Sequence, residues 1–150
     1  MEVKFVLNGK EVKVDVKPTA ILTDVLREKL GVTSVKKGCE TGDCGACAVL
    51  LDGELVNSCI VLAPTVAGKS VTTVEGLIIN GEMDIIQKRL AEYHGTQCGY
   101  CTPGMVIAIK ALLNKNPKPS EAEIRRAIAG NLCRCTGYQK IVEAVQSITA

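Results

Sequence analysis

Alternating apolar and polar positions along the first half of the chain predict two β-hairpins and a further strand. The strand patterns cover residues 3–7, 11–16, 48–51, 54–56 and 70–74. The two hairpins turn at Asn8-Gly9 and Asp52-Gly53, dipeptides that favour two-residue turns. Between the hairpins, apolar residues at helical spacing predict a helix over residues 21–30, which the following glycine ends. The first half is therefore predicted to be mixed α+β.

The second half shows helical spacing and no convincing strand. Helices are predicted over residues 84–93, 103–113, 121–128 and 136–148. We expect Thr102 to cap the second of them, with Pro103 at its first position. Ser120 and Glu123 form a capping-box pattern ahead of the third. Residues 105–113 are apolar almost all round, which is typical of a helix buried on most sides.

The composition is that of an ordinary globular protein, with one exception. Of 150 residues, 47% are hydrophobic and 23% charged, and the net charge is +2. This balance argues against a nucleic-acid-binding protein, which carries a basic excess or a basic stripe. Because no apolar run reaches the roughly 18 residues of a membrane span and the first residues lack a signal-peptide core, we expect a cytoplasmic protein. The exception is eight cysteines beside one histidine.

Eight cysteines could form disulfides or bind metal. Disulfide frameworks are typical of short secreted chains that lack a core. The first residues show no signal-peptide core, and the chain contains long aliphatic stretches such as residues 105–109. We therefore expect metal binding. The cysteines fall into two groups of four, one in each half of the chain.

The first group has the spacing C-x4-C-x2-C-x11-C and consists of Cys39, Cys44, Cys47 and Cys59. Its first three positions match the plant-type ferredoxin spacing for a [2Fe–2S] cluster. Three glycines among these cysteines let the loop fold around an inorganic core and bring backbone amides close to the anionic sulfurs. A four-cysteine zinc site normally uses two C-x2-C pairs, and only one is present here. The spacing therefore favours iron and sulfide over zinc.

The second group has the spacing C-x2-C-x31-C-x-C and consists of Cys98, Cys101, Cys133 and Cys135. This spacing is less specific, and it leaves both a zinc site and a second [2Fe–2S] cluster open. Cys101 precedes the helix start at Thr102, and Cys135 precedes the start predicted at Thr136. Two helix N-termini are thus expected to point at one anionic site.

Three runs of sequence resemble the small iron–sulfur subunit of the molybdenum hydroxylases, the family of xanthine dehydrogenase, aldehyde oxidoreductase and carbon monoxide dehydrogenase. The runs are GCETGDCGAC (residues 38–47), QCGYCTPGM (97–105) and GNLCRCTGY (130–138). The likeness extends over residues 4–148, and all eight cysteine positions are present. The resemblance implies that each group of four cysteines holds one [2Fe–2S] cluster.

The resemblance also implies an α+β fold in two domains. Residues 1–77 would form a ferredoxin-like β-grasp domain with an outer cluster, and residues 78–150 an all-α four-helix domain with an inner cluster. The partners implied are a large molybdopterin-binding subunit and a medium FAD-binding subunit. By the same resemblance, Gln97 would contact the molybdenum cofactor and Cys135 would lie against the pterin.

The function implied is electron transfer within a molybdopterin-dependent oxidoreductase whose substrate chemistry takes place in another chain. Single electrons would pass from molybdenum through the inner and then the outer cluster to FAD. The alternative is a free-standing two-cluster [2Fe–2S] ferredoxin. The helical half argues against it, because a diffusing carrier has no evident use for a second, buried centre.

Overall fold

Five strands form one mixed sheet in the first half of the chain. The computed structural model describes residues 1–149, so Ala150, the last residue of the second predicted domain, lies outside the described residues. The strands are β1 (Glu2–Leu7), β2 (Lys10–Asp15), β3 (Ala48–Leu51), β4 (Glu54–Asn57) and β5 (Ser70–Thr72). Their order in the sheet is β2-β1-β5-β3-β4, in which β1 and β5 run parallel and the other neighbours antiparallel.

Both predicted hairpins are confirmed. β1 pairs with β2 from Glu2 opposite Asp15 to Leu7 opposite Lys10, and β3 pairs with β4 in the same antiparallel manner. The turn residues Asn8-Gly9 have φ angles of 50° and 80°, and Asp52-Gly53 have 50° and 84°. Two consecutive positive φ angles define the type I′ turn, whose twist matches that of the strands it joins.

The helix predicted over residues 21–30 is present only in part as an α-helix. Helix α1 covers Leu22–Asp24 and continues directly into a π-helical turn at Val25–Lys29. The wider turn is closed by the amide of Leu30, which donates to the Val25 carbonyl oxygen at 3.1 Å. The buried side chains of this segment belong to the core of the first half.

Four α-helices follow in the second half. They are α2 (Ile85–Glu92), α3 (Thr102–Lys115), α4 (Glu121–Ile128) and α5 (Gln139–Thr149). The capping box of Ser120 and Glu123 is confirmed at the start of α4. A second capping box, formed by Asp84 and Gln87 at the start of α2, was not predicted from the sequence.

Two predicted helix starts are wrong. Cys101, and not Thr102, occupies the N-cap of α3, and its side chain makes no capping hydrogen bond. Helix α5 begins at Gln139 instead of at Thr136, because Gly137 and Tyr138 have φ angles of 63° and 70° that a right-handed helix cannot include. Cys135 therefore does not lie at a helix N-terminus.

The two halves of the molecule share strand β3. Val49 points into the core of the first half, together with Phe5 and Leu26, and it is fully buried. Its neighbours Ala48 and Leu50 belong instead to the core of the helical half. Because successive residues of a strand face opposite sides of the sheet, β3 has an apolar layer on each side and the two halves pack against each other. Within residues 1–149, no helix is both long and apolar enough to cross a bilayer.

Candidate metal centres

The first cysteine loop directs backbone amides at a cysteine sulfur. The amides of Thr41, Asp43 and Cys44 donate to the Sγ atom of Cys39 at 3.4, 3.2 and 3.3 Å, and the Cys39 amide donates to the Sγ atom of Cys44 at 3.4 Å. The Thr41 side chain, followed by these amides, lowers the pKa of the Cys39 thiol to about 6. Such a cradle of donors stabilises a thiolate, which is the form that binds metal.

The glycines of this loop have the two roles expected of them. Gly42 and Gly45 have φ angles of 86° and 74°, which favour glycine. Gly38 has no positive φ, but a Cβ atom there would lie 2.6 Å from the Sγ atom of Cys44. The loop therefore needs glycine at two positions for its backbone conformation and at a third for space beside a sulfur.

Cys47 and Cys59 complete the first group as a buried pair. Cys47 lies beside Cys59, and burial, followed by this neighbour, raises the pKa of Cys59 to about 11. The Ser58 hydroxyl donates to the Cys47 carbonyl oxygen at 2.7 Å, which holds the turn carrying Cys59 against the loop. Thr23 of α1 contacts the same hydroxyl at 2.6 Å. Two adjacent thiolates repel, so this pair needs a cation to be fully ionised.

The second group also forms two pairs. Cys101 lies beside Cys133, and burial followed by this neighbour raises the pKa of Cys101 to about 12. Cys135 lies beside Cys98, whose side chain raises the pKa of Cys135. Cys98 and Cys135 are exposed, whereas Cys101 and Cys133 are half-buried. One edge of this site therefore faces the surface.

Two hydroxyl groups surround Cys133. The Thr136 Oγ1 atom donates to the Sγ atom of Cys133 at 3.1 Å, and the amide of Cys133 donates to the Tyr138 hydroxyl oxygen at 2.8 Å. The Thr136 hydroxyl also accepts from the amide of Tyr138 at 3.2 Å. Burial alone would raise the pKa of Cys133, but the hydrogen bonds from Thr136 outweigh it and lower that pKa.

The two groups of cysteines meet at one cavity of about 330 Å³. Its cysteine lining comes from both groups and comprises Cys39, Cys44, Cys98, Cys101, Cys133 and Cys135. The amide of Leu132 donates to the Cys44 carbonyl oxygen at 2.9 Å. The Tyr100 hydroxyl, between two cysteines of the second group, donates to the Lys37 carbonyl oxygen just before the first group. Both loops are thus joined directly by hydrogen bonds.

The arrangement of the sulfurs fits two-iron clusters better than single metal ions. All eight cysteines are free, which excludes the disulfide interpretation in this structure. Among residues 1–149, no three His, Cys, Asp or Glu side chains converge on one point as ligands of a single ion. A tetrahedral zinc site needs four convergent ligands, whereas a [2Fe–2S] cluster spreads four thiolates over two irons. Sulfurs arranged in pairs therefore suit the two irons of a [2Fe–2S] cluster.

Gln97 and Cys135, the two residues expected to contact a partner's cofactor, lie together at the surface. Both are exposed, and the Gln97 Nε2 atom donates to the Cys135 carbonyl oxygen at 3.2 Å. The exposed side chains of Tyr100 and Leu132 belong to the same loops. This face therefore combines polar groups of the second cysteine group with exposed apolar side chains.

The sequence did not identify the contacts that three residues make at this site. Asn131 is only 3% exposed, and its amide donates to the Gly45 carbonyl oxygen at 3.1 Å. Thr136 and Tyr138 were placed beside the cysteines, but their contacts with Cys133 were not predicted. Their only signal is proximity in sequence to a ligand position, and this does not say which atom each hydroxyl contacts.

Comparison with protein families defines the class. Residues 5–73 match the family model described as 2Fe-2S iron-sulfur cluster binding domain, and residues 73–146 match the one described as [2Fe-2S] binding domain. The chain is thus a protein with two [2Fe–2S]-binding parts, each of which contains one of the cysteine groups. The second match favours a [2Fe–2S] cluster over the zinc site that the spacing of the second group left open.

Full-length relatives define the family more closely. The chain is 47% identical over 140 residues to the nicotinate dehydrogenase small FeS subunit of Eubacterium barkeri, covering 93% of this chain and 89% of that one. It is 45% identical to the xanthine dehydrogenase iron-sulfur-binding subunit of Escherichia coli O157:H7, with 95% and 91% covered. The chain therefore belongs to the family of small iron–sulfur subunits of the molybdenum hydroxylases.

Solved structures agree with this assignment. A chain of quinoline 2-oxidoreductase from Pseudomonas putida 86 superposes with a TM-score of 0.95 at 42% identity, covering 97% of this chain and 90% of that one. Aldehyde oxidoreductase from Desulfovibrio gigas gives a TM-score of 0.95 at 41% identity. The match covers 100% of this chain but only 17% of the aldehyde oxidoreductase chain. In that relative the same fold is part of a much longer polypeptide.

Proposed function

We propose that this chain is the electron-transfer subunit of a molybdenum hydroxylase. It passes single electrons from the molybdopterin site of a large subunit, through two [2Fe–2S] clusters, to an FAD subunit. The observation that carries the proposal is the cavity lined by cysteines of both groups, since it implies two one-electron centres side by side. A carrier with adjacent centres suits an enzyme whose substrate gives up electrons in pairs and whose clusters accept them one at a time.

The proposed ligands are the eight cysteines. One cluster is held by Cys39, Cys44, Cys47 and Cys59, and the other by Cys98, Cys101, Cys133 and Cys135. The pairing of the sulfurs, the amide donors around Cys39 and the lowered pKa of that thiol support this division. When bound, each cluster supplies a site that accepts and returns one electron. The protein supplies the thiolates and hydrogen bonds that hold it.

We assign the outer cluster to a β-grasp domain over residues 1–77 and the inner cluster to a four-helix domain over residues 78–150. The parallel pairing of β1 with β5 and the four helices α2 to α5 support this division. Electrons then travel from the inner to the outer cluster. The hydrogen bond from the Leu132 amide to the Cys44 carbonyl oxygen connects the two loops directly.

The face that carries Gln97 and Cys135 is proposed to dock against the molybdopterin. The Gln97 side chain lies within hydrogen-bonding distance of the Cys135 backbone, so both can meet one ligand. Leu132 is 57% exposed on the adjoining loop, and an apolar side chain in this position suits burial against a partner. The partners proposed are the large molybdopterin-binding and medium FAD-binding subunits, and the proposed compartment is the cytoplasm.

Anaerobic isolation of the tagged chain from its native host tests the proposal. We expect iron and acid-labile sulfide in equal amounts, two distinguishable EPR signals after reduction, and co-purification of a molybdopterin chain and a flavin chain. A lone monomer carrying both clusters would favour the free-standing ferredoxin instead. A colourless zinc protein without sulfide would refute the assignment of both centres.

Substitution of Gln97 tests the docking face separately. Gln97→Ala is expected to retain both EPR signals and to slow reduction of the clusters by the large subunit. Gln146→Ala is the matched control, because this half-buried glutamine lies on α5 and makes a solvent-exposed hydrogen bond to Glu121 at 3.3 Å. If both variants are reduced at the wild-type rate, Gln97 has no role in docking.

A further inference from the structure

The backbone amide of Cys133 donates to a side-chain oxygen and not to a sulfur. It donates to the Tyr138 hydroxyl oxygen at 2.8 Å and is therefore not available to a sulfur. In the first loop, by contrast, the amide of Cys39 itself donates to the Sγ atom of Cys44 at 3.4 Å. The tyrosine thus takes up an amide whose counterpart in the first loop donates to a sulfur.

Tyr138 is held in this position at a conformational cost. Its φ angle of 70° lies in the left-handed region, where a residue with a Cβ atom loses about 1–2 kcal/mol. The Thr136 hydroxyl accepts from its amide at 3.2 Å, and its ring packs against the core of the helical half. The surrounding structure therefore enforces the contact between this ring and Cys133, and strain of this type is concentrated at functional sites.

The Thr136 hydroxyl, unlike Tyr138, supplies a hydrogen-bond donor to the sulfur of Cys133. It donates to the Sγ atom of Cys133 at 3.1 Å. Hydrogen bonds to the sulfurs of a cluster are one of the factors that set its reduction potential. A donor to sulfur stabilises the more negatively charged reduced form, so the added electron is held more tightly and the potential rises.

We propose that Thr136 and Tyr138 are positioning residues that set the reduction potential of the second cluster with opposite signs. Thr136 raises the potential by donating to the Cys133 sulfur, and Tyr138 lowers it by taking up the Cys133 amide. The inference rests on the proposed function, because it requires a [2Fe–2S] cluster on the second group of cysteines.

Potentiometric titration of the full-length chain with both clusters, followed by EPR, tests this. Tyr138→Phe keeps the ring and removes the oxygen, which frees the amide, so the potential of the second cluster should rise. Thr136→Val should lower this potential. Thr136→Ser keeps the hydroxyl group and should have the wild-type potential. We expect each change to be about tenfold in the equilibrium constant, or about 59 mV for one electron.

The controls separate a local effect from a general one. The first cluster in the same molecule is an internal reference, and its potential should stay constant. Tyr100→Phe is the matched variant, because it removes a tyrosine hydroxyl from between Cys98 and Cys101 that donates to the Lys37 carbonyl oxygen. Tyr100→Phe should shift the reduction potential of the second cluster less than Tyr138→Phe does.

Equal shifts in the reduction potentials of both clusters would overturn the inference. So would an unchanged potential of the second cluster in both Tyr138→Phe and Thr136→Val. Either outcome would leave the proposed function intact. If Tyr138→Phe does not retain the second cluster, the comparison of Thr136→Val with Thr136→Ser decides. The inference is supported if Thr136→Val lowers the potential of the second cluster and Thr136→Ser has the wild-type potential. It is overturned if the two variants have identical potentials. Absence of iron and sulfide from the wild-type chain would instead remove the proposed function itself.

Discussion

The side-chain amide of Asn131 donates a buried hydrogen bond of 3.1 Å to the carbonyl oxygen of Gly45, which lies 86 positions earlier in the chain. Gly45 lies between Cys44 and Cys47 of the first group, and Asn131 lies two residues before Cys133 of the second. Beside this contact the amide of Leu132 donates to the Cys44 carbonyl oxygen at 2.9 Å. The two cysteine loops are therefore joined at this point by a pair of hydrogen bonds.

Removal of the Asn131 amide should weaken this junction. In Asn131→Ala the carbonyl oxygen of Gly45 loses one buried donor and keeps the amide of Ala48 at 3.1 Å, so the loss is that of one ordinary hydrogen bond, about 0.5–1.5 kcal/mol. The measurement is the free energy of unfolding of the cluster-loaded chain by chemical denaturation. Asn116→Ala is the control, because the half-buried Asn116 makes only solvent-exposed side-chain hydrogen bonds, to Glu123 and from the Lys118 amide, both at 3.2 Å, and their loss should cost about 0.5 kcal/mol or less. Equal costs for the two variants would contradict the role given to Asn131.

Gly45 should be far less tolerant of a side chain than Gly53. Both have a positive φ angle, 74° and 84°, so alanine is strained at either position. A Cβ atom at Gly45 would lie 2.4 Å from the carbonyl oxygen of Gly130, whereas one at Gly53 meets nothing within 4 Å. Gly45→Ala should therefore cost about 1–3 kcal/mol more than Gly53→Ala in free energy of unfolding. A difference near zero would mean that the two loops separate easily.

The local features of the fold can be predicted from the sequence because their causes are local. Asn8-Gly9 and Asp52-Gly53 adopt the positive φ angles of their turn type with little strain, so both hairpins follow from dipeptides. The capping box of Ser120 and Glu123 likewise depends on residues three positions apart. The shared use of β3 by two cores is different, since it depends on contacts with α3 far along the chain.

The same distinction applies to the candidate site. Cysteine spacing identifies the two groups of ligands, but it does not show which sulfurs lie side by side or which amides point at them. The start of α5 was predicted too early because Thr136 resembles a cap, whereas Tyr138 takes a left-handed φ angle of 70° to reach Cys133. A residue such as Asn131 has no signal at all until the partner loop is in place.

Asp84 should contribute to stability in two separable ways. Its side chain accepts from the Ile86 amide at 2.9 Å as the cap of α2, and it forms an ion pair of 2.8 Å with Lys110 of α3. Asp84→Asn keeps an oxygen for the cap and loses the ion pair, whereas Asp84→Ala loses both. We expect the alanine variant to be about 1 kcal/mol less stable than the asparagine variant. Thermal unfolding checks this, with Lys110→Gln as the variant that removes the ion pair alone.

Glu75 should make stability depend on pH in the acidic range. Burial opposes ionisation of its carboxyl group, but hydroxyl donors from Thr73 at 2.6 Å and Ser34 at 2.7 Å outweigh this and lower its pKa below the usual 4.5. A carboxylate with a lowered pKa in the folded state stabilises that state fully above the pKa of the unfolded chain. This contribution is lost as the pH falls through the pKa that Glu75 has in the folded state.

The difference in unfolding free energy between the wild type and Glu75→Gln should therefore be constant at neutral pH and shrink below pH 4.5. Iron content is checked at each pH, and a difference that stays the same throughout would contradict the prediction.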